Sequence, residues 1–175
     1  MKNPLVYLKN GARCILLKIR FGKKCSIGLI QSFEKIRFDI TNNGTVKFGC
    51  FNQNREKLYI GVNGGKLELG SHCFFNINSS ITAMSEIKIG DNCKFGNNLV
   101  IVDHDHNFRS SHPEFISSPV YIGNNVWCGA NVTILRGTKI GDNCIVGAGT
   151  VVKGSFPENC IICGTKGKII QRQRT

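Results

Sequence analysis

Residues 99–115 read LVIVDHDHNFRSSHPEF and hold three of the four histidines in the chain. His104 and His106 flank Asp105, directly after the apolar run Leu99–Val102. Two positions apart, they face one side if the backbone there is extended. Three readings are open. A metal site needs three or four converging ligands, and Asp103, Asp105 and His112 are near in sequence. A general base needs one imidazole within reach of a hydroxyl, and imidazole exchanges its proton near neutral pH. A polar loop needs no chemistry at all. The histidines alone do not decide; the elements around them do.

The leading residues Ile122, Cys128, Ile134, Ile140, Val146 and Val152 stand six apart and are all apolar. Gly often follows, as at Gly123, Gly129, Gly141 and Gly147. Upstream, Leu69, Phe75 and Ile81 keep the same step, as do Ile89, Phe95 and Ile101 after a slip of two; Ile27-Gly28, Phe48-Gly49 and Ile60-Gly61 look like weaker copies. A period of six fits neither a helix nor simple alternation. It fits a short extended rung and a tight turn, with three rungs closing one coil. The longer period agrees: IGNNV at 122 returns as IGDNC at 140, three steps later. Coils stacked at a parallel-strand spacing of about 4.8 Å give an all-β parallel solenoid with a one-dimensional core. Asn, Asp and Gly suit its corners. Right-handed winding would follow from the general crossover rule.

The blocks opening at Ile89 and Ile122 are separated by almost two coils where the repeat calls for one. The excess leaves the solenoid as a loop at about 103–119, the histidine-bearing stretch. Loops on rigid scaffolds are where function concentrates. The repeat also stacks Ala130 on Ala148, one coil later, so two small side chains share one corner and leave the backbone open to a linear ligand.

Totals bound the rest. Twenty-three Lys and Arg against 11 Asp and Glu give a net charge of +12, which favours anionic partners. Basic residues interleaved with aromatics are missing, so nucleic acid is not expected. No apolar run reaches a membrane span. The start, MKNPLVYLKNGARCILLKIR, is broken by Lys9, Asn10, Gly11 and Arg13 and lacks a signal-peptide core, so a cytoplasmic location is expected. Peripheral association of that basic amphipathic segment with an anionic membrane is the alternative. Nine cysteines, an odd number at repeat positions, read as reduced core residues, Cys160 and Cys163 included. The organisation expected is an N-terminal segment, 1–24, with helical character; a solenoid over 25–170; and a basic tail, 171–175.

The tandem blocks, above all IGNNVWCGANVTILRGTKIGDNCIVGAGTVV, resemble the hexapeptide-repeat acyltransferases, and within them the galactoside, maltose and polysaccharide O-acetyltransferase branch. The likeness is strong over 69–170 and weak before 60. It implies a left-handed parallel β-helix, an exception to the crossover rule. It also implies acetyl transfer from acetyl-CoA to a sugar hydroxyl, in surface polysaccharide or lipopolysaccharide biosynthesis, by a homotrimer with sites between subunits. By the same resemblance His104, upstream of Trp127 at the family's spacing, is the base, and His106 contacts the acceptor. Asn76 also binds the acceptor. Trp127 walls the thioester or the acceptor, Gly129, Ala130 and Ala148 cradle the pantetheine, and Lys166 and Lys168 face the CoA phosphates. The usual Pro is missing from Gly164-Thr165-Lys166-Gly167-Lys168. No metal is expected. Relatives that are zinc carbonic anhydrases, or that acetylate serine or antibiotics, supply the alternative functions.

Overall fold

The computed structural model describes residues 4–108 and 114–164. A helix, α1 (Pro4–Phe21), and a single 3-10 turn, Gly22–Lys24, precede a stack of short parallel rungs. The rungs form three sheets, one for each side of a triangular prism. Face A has seven strands, from Cys25–Ile27 to Ser155–Phe156. Face B has six, from Gln53–Asn54 to Ile161–Ile162. Face C has six, from Ile36–Thr41 to Val151–Val152. The fold is a left-handed parallel β-helix of about six turns.

The six-residue step is visible as packing. Ile122, Ile140, Cys128, Val146, Ile134 and Val152 are all buried, each paired with its counterpart one coil away. The pairs are Ile122 with Ile140, Cys128 with Val146 and Ile134 with Val152. Phe75 and Phe95 stack with ring centroids 4.8 Å apart, the coil rise itself. Ile27, Phe48 and Ile60 are buried too, so the weak early copies are true rungs.

The corners hold the coils in register. At the corner between faces A and B, a side-chain oxygen of each coil accepts a backbone N–H of the coil before it. Ser71 Oγ takes the N–H of Cys50 (3.1 Å), Asp91 Oδ1 that of Ser71 (2.7 Å), Asn124 Oδ1 that of Asp91 (2.9 Å) and Asp142 Oδ1 that of Asn124 (2.8 Å). Asn92, Asn125, Asn143 and Asn159 turn this corner at positive φ, which Asn tolerates. Between B and C, a Cβ on Gly129 would stand 2.7 Å from the Ala148 nitrogen, so the stacking there requires glycine.

The cysteines follow from the same geometry. Thiols of Cys73, Cys93 and Cys144 donate to carbonyls of the following coil, Gly90 (3.2 Å), Gly123 (3.1 Å) and Pro157 (3.1 Å). In the first coils the amides of Gln31 and Asn52 do this instead, toward Gly49 (2.7 Å) and Gly70 (2.9 Å). Burial pushes the Cys128 thiol up to about 12. All nine cysteines are free thiols. The C-x-x-C is corrected here: Cys160 is half-buried and Cys163 exposed, because Ile162 takes the inward position between them.

α1 is the helical element expected of the N-terminal segment. It packs Cys14, Leu17 and Phe21 against the core and ends at Gly22, whose φ of 56° suits a helix stop. The expected tail, 171–175, lies outside the described residues. Replacing Phe95 with Ala would leave a cavity between two coils. We expect a loss of about 3–5 kcal/mol in denaturant unfolding, with the parallel-strand circular dichroism of the folded state retained.

Candidate active site

The extra residues leave at the corner between faces C and A. Among their described residues, His104–His106 and Phe115–Ser117 pair antiparallel, His104 opposite Ser117 and His106 opposite Phe115. The Ser118 N–H donates to the Asp103 carbonyl (2.8 Å) and closes the base of this hairpin. Asp105 turns to the other side, where Arg136 Nε donates to its Oδ2 at 2.5 Å and ties the hairpin to the next coil. His104 and His106 share a face, as their spacing predicts, and both rings meet Phe115, at 5.5 and 4.6 Å between centroids.

Asp103 is the residue that spacing did not mark. It is fully buried, yet its carboxylate is satisfied. Oδ1 accepts the Met84 N–H (2.8 Å), Oδ2 accepts the Ser85 N–H (2.7 Å), and His104 Nδ1 lies 3.0 Å from Oδ1. Met84 and Ser85 form the same corner one coil earlier. An ionised carboxylate only accepts, so the imidazole proton belongs on Nδ1 and the Nε2 lone pair is left for another partner. The His104 side chain is 19 % exposed, enough for a hydroxyl to reach it.

His104 and Phe115 border a cavity of about 310 Å³ on the outer side of face C, with Asp39, Thr41, Asn63 and Thr82. Tyr59 also lines a larger one of about 550 Å³, together with Arg13, Lys35, Arg37 and Lys57. The Tyr59 ring lies over Gly61, where a Cβ would stand 2.9 Å from its Oη. The absence of a side chain at Gly61 therefore makes room for the Tyr59 ring on this strand.

The other expected residues lie elsewhere on the prism. Trp127 is 53 % exposed on face B, beside a cleft of about 480 Å³ with His72, Asn92 and Lys94. Gly129, Ala130 and Ala148 form the adjoining corner between B and C, with Ala148 exposed and Gly149 facing open space. Asn76 also turns from B to C; its Oδ1 accepts the Ile77 N–H (3.0 Å), and it does not border the His104 cavity. Face B is opposite the C–A corner that carries His104. Within one chain, His104 and Trp127 stay apart. Lys166 and Lys168 lie outside the described residues. Among the described residues, no group of three or more His, Cys, Asp or Glu converges to hold a metal ion.

Comparison with known proteins agrees with this architecture. The family model described as bacterial transferase hexapeptide (six repeats) matches residues 119–154, and one for the hexapeptide repeat of succinyl-transferase matches 67–102. The chain is 32% identical to the "Putative lipopolysaccharide biosynthesis O-acetyl transferase WbbJ" of Escherichia coli (strain K12), over 90% of this chain and 94% of that one. It is 34% identical to the galactoside O-acetyltransferase of the same organism, over 62% of this chain and 55% of that one. Among solved structures, a mutant of AntD, an N-acyltransferase from Bacillus cereus in complex with dTDP and coenzyme A, superposes with a TM-score of 0.69 at 20% identity, covering 91% of this chain and 89% of that one.

Asp103→Ala would strand two buried N–H groups and release His104. We expect a loss of about 1–3 kcal/mol in unfolding for each stranded donor, and a smaller one for Asp103→Asn, whose amide oxygen still accepts.

Proposed function

The chain belongs to the bacterial hexapeptide-repeat transferases, and from that premise we propose that it is an acetyl-CoA-dependent O-acetyltransferase acting on a sugar hydroxyl in surface polysaccharide or lipopolysaccharide biosynthesis. The observation that carries this reading is the Asp103–His104 pair, an imidazole whose Nδ1 lies 3.0 Å from a buried carboxylate oxygen, beside an open cavity. The near full-length relative named for lipopolysaccharide biosynthesis supports the acceptor class.

In the proposed reaction the acceptor hydroxyl donates its proton to His104 Nε2 while its oxygen attacks the thioester carbonyl. The imidazolium so formed is stabilised by the buried Asp103 carboxylate, whose two backbone donors keep it from moving. When the tetrahedral intermediate collapses, the C–S bond breaks and the Nε2 proton goes to the departing thiolate. A positioned base of this kind contributes about 10²–10⁴-fold, and alignment of donor and acceptor supplies much of the remainder. His106, on the same hairpin face and more exposed, contacts the acceptor.

The small side chains at the B–C corner fit the donor. Ala130 and Ala148 leave a stacked strip of backbone against which the linear pantetheine arm can lie, with Trp127 beside it. Lys166 and Lys168 are assigned to the CoA phosphates. Because base and strip are on different sides of the prism, we assign each active site to two copies. The hairpin corner of one meets the B face of the next, in a homotrimer closed by three-fold symmetry. Exposed apolar groups stand where that contact needs them: Trp127, Ile145 and Ile161 in one row on face B, and Phe108, Phe115 and Ile116 on the hairpin. No described helix is long and apolar enough to cross a membrane. We place the reaction in the cytoplasm, where acetyl-CoA is available.

The test is thiol release from acetyl-CoA with candidate sugars. His104→Ala should lower kcat by about 10²–10⁴-fold with little change in KM for acetyl-CoA. Undiminished turnover in that variant would remove His104 as the base.

A further inference from the structure

α1 carries two apolar faces, and only one is used. Cys14, Leu17 and Phe21, at helical spacing, seat against the first coil together with the buried Asn10. On the opposite side, Leu5, Leu8, Ala12, Leu16 and Ile19 follow one another at steps of three or four, with Ile15 beside them. All five large side chains of this second stripe are exposed: Leu5 67%, Leu8 70%, Ile15 48%, Leu16 64% and Ile19 74%. So much aliphatic surface in one line marks an interaction site.

The charges say what kind. At about 100° per residue, Lys9, Arg13 and Arg20 fall along one border of the stripe and Lys18 along the other. Lys23 and Lys24 follow in the 3-10 turn. α1 has no acidic residue, and the first acid in the chain is Glu34. An apolar stripe bordered on both sides by cations is the pattern of a helix lying in a lipid interface. There the aliphatic groups enter the acyl boundary and the long basic side chains reach back to the headgroups. A groove on a protein partner would not demand this one-signed border.

We propose that α1 is a membrane-surface anchor, docking the chain on an anionic bilayer through Leu5, Leu8, Ile15, Leu16 and Ile19, with Lys9, Lys18 and Arg20 on phosphate headgroups. This does not depend on the acetyltransferase reading. α1 packs on the first rung of the solenoid. The helix lies in the interface and does not span it.

Vesicle flotation of the full chain tests this, using phosphatidylcholine vesicles with and without one quarter phosphatidylglycerol. The wild type should float with the anionic vesicles at least tenfold more than with the neutral ones. The Leu8→Gln/Leu16→Gln/Ile19→Gln variant should lose at least tenfold of that binding, with its melting temperature, its solution mass by light scattering and its thiol release from acetyl-CoA unchanged. Wild type that stays unbound, or a variant that floats as well as wild type, would overturn the proposal. So would a variant whose solution mass falls, since the stripe would then be a contact between copies.

Discussion

Every coil of this molecule must place its turns directly above those of the coil before it. That vertical register is the constraint from which the rest follows. It allows one aliphatic side chain to lie on the next through the whole core. It forces glycine where corners touch, and it lets a side-chain oxygen of one coil satisfy a backbone N–H of its neighbour. Asp103 is this same corner device at the place where the chain leaves the solenoid. Its carboxylate serves the Met84 and Ser85 N–H groups as Asp142 serves Asn124, but it is fully buried and has a histidine as its next neighbour. A structural cap thereby becomes the group that orients an imidazole. The hairpin then presents that imidazole at the rim of a groove, held from the other side by Arg136 on Asp105.

Much of this is legible in the sequence, for a physical reason. An inward rung position tolerates only an apolar side chain, so the step of six is written as residue type and can be counted. The excursion can be counted the same way, as a repeat that arrives late at Ile122. His104 and His106 can be put on one face because strand geometry fixes it. Asp103 is not legible as an orienting group, since its partners are backbone amides 18 and 19 residues earlier and backbone amides leave no trace in residue type. The hairpin reads as a loop because its strands are three residues long and neither alternates cleanly. The correction at Cys163 has a similar origin: one place separates an inward from an outward side chain at the last described rung, and Ile162 holds the inward one.

The division of the chemistry among faces also has a structural origin. A triangular prism puts each corner opposite a flat side, so an imidazole at the C–A corner and an indole on face B point away from each other. A single copy thus holds His104 and its cavity at one edge and the small-residue strip of Ala130 and Ala148 at another. The N-terminal third, where resemblance is weakest, adds two things. Its coils widen face C with strands of six residues, and these make the floor of the groove that ends at His104. Its helix closes the open end of the stack.

The central claim is that Asp103 fixes the proton of neutral His104 on Nδ1 and leaves Nε2 to act. Long-range ¹H–¹⁵N correlation on histidine-labelled protein reads this directly, with His104→Gln assigning the signals. The account predicts a protonated, pyrrole-type Nδ1 and an unprotonated, pyridine-type Nε2 for neutral His104, a preference that weakens in Asp103→Asn. A neutral His104 carrying its proton on Nε2 would contradict it.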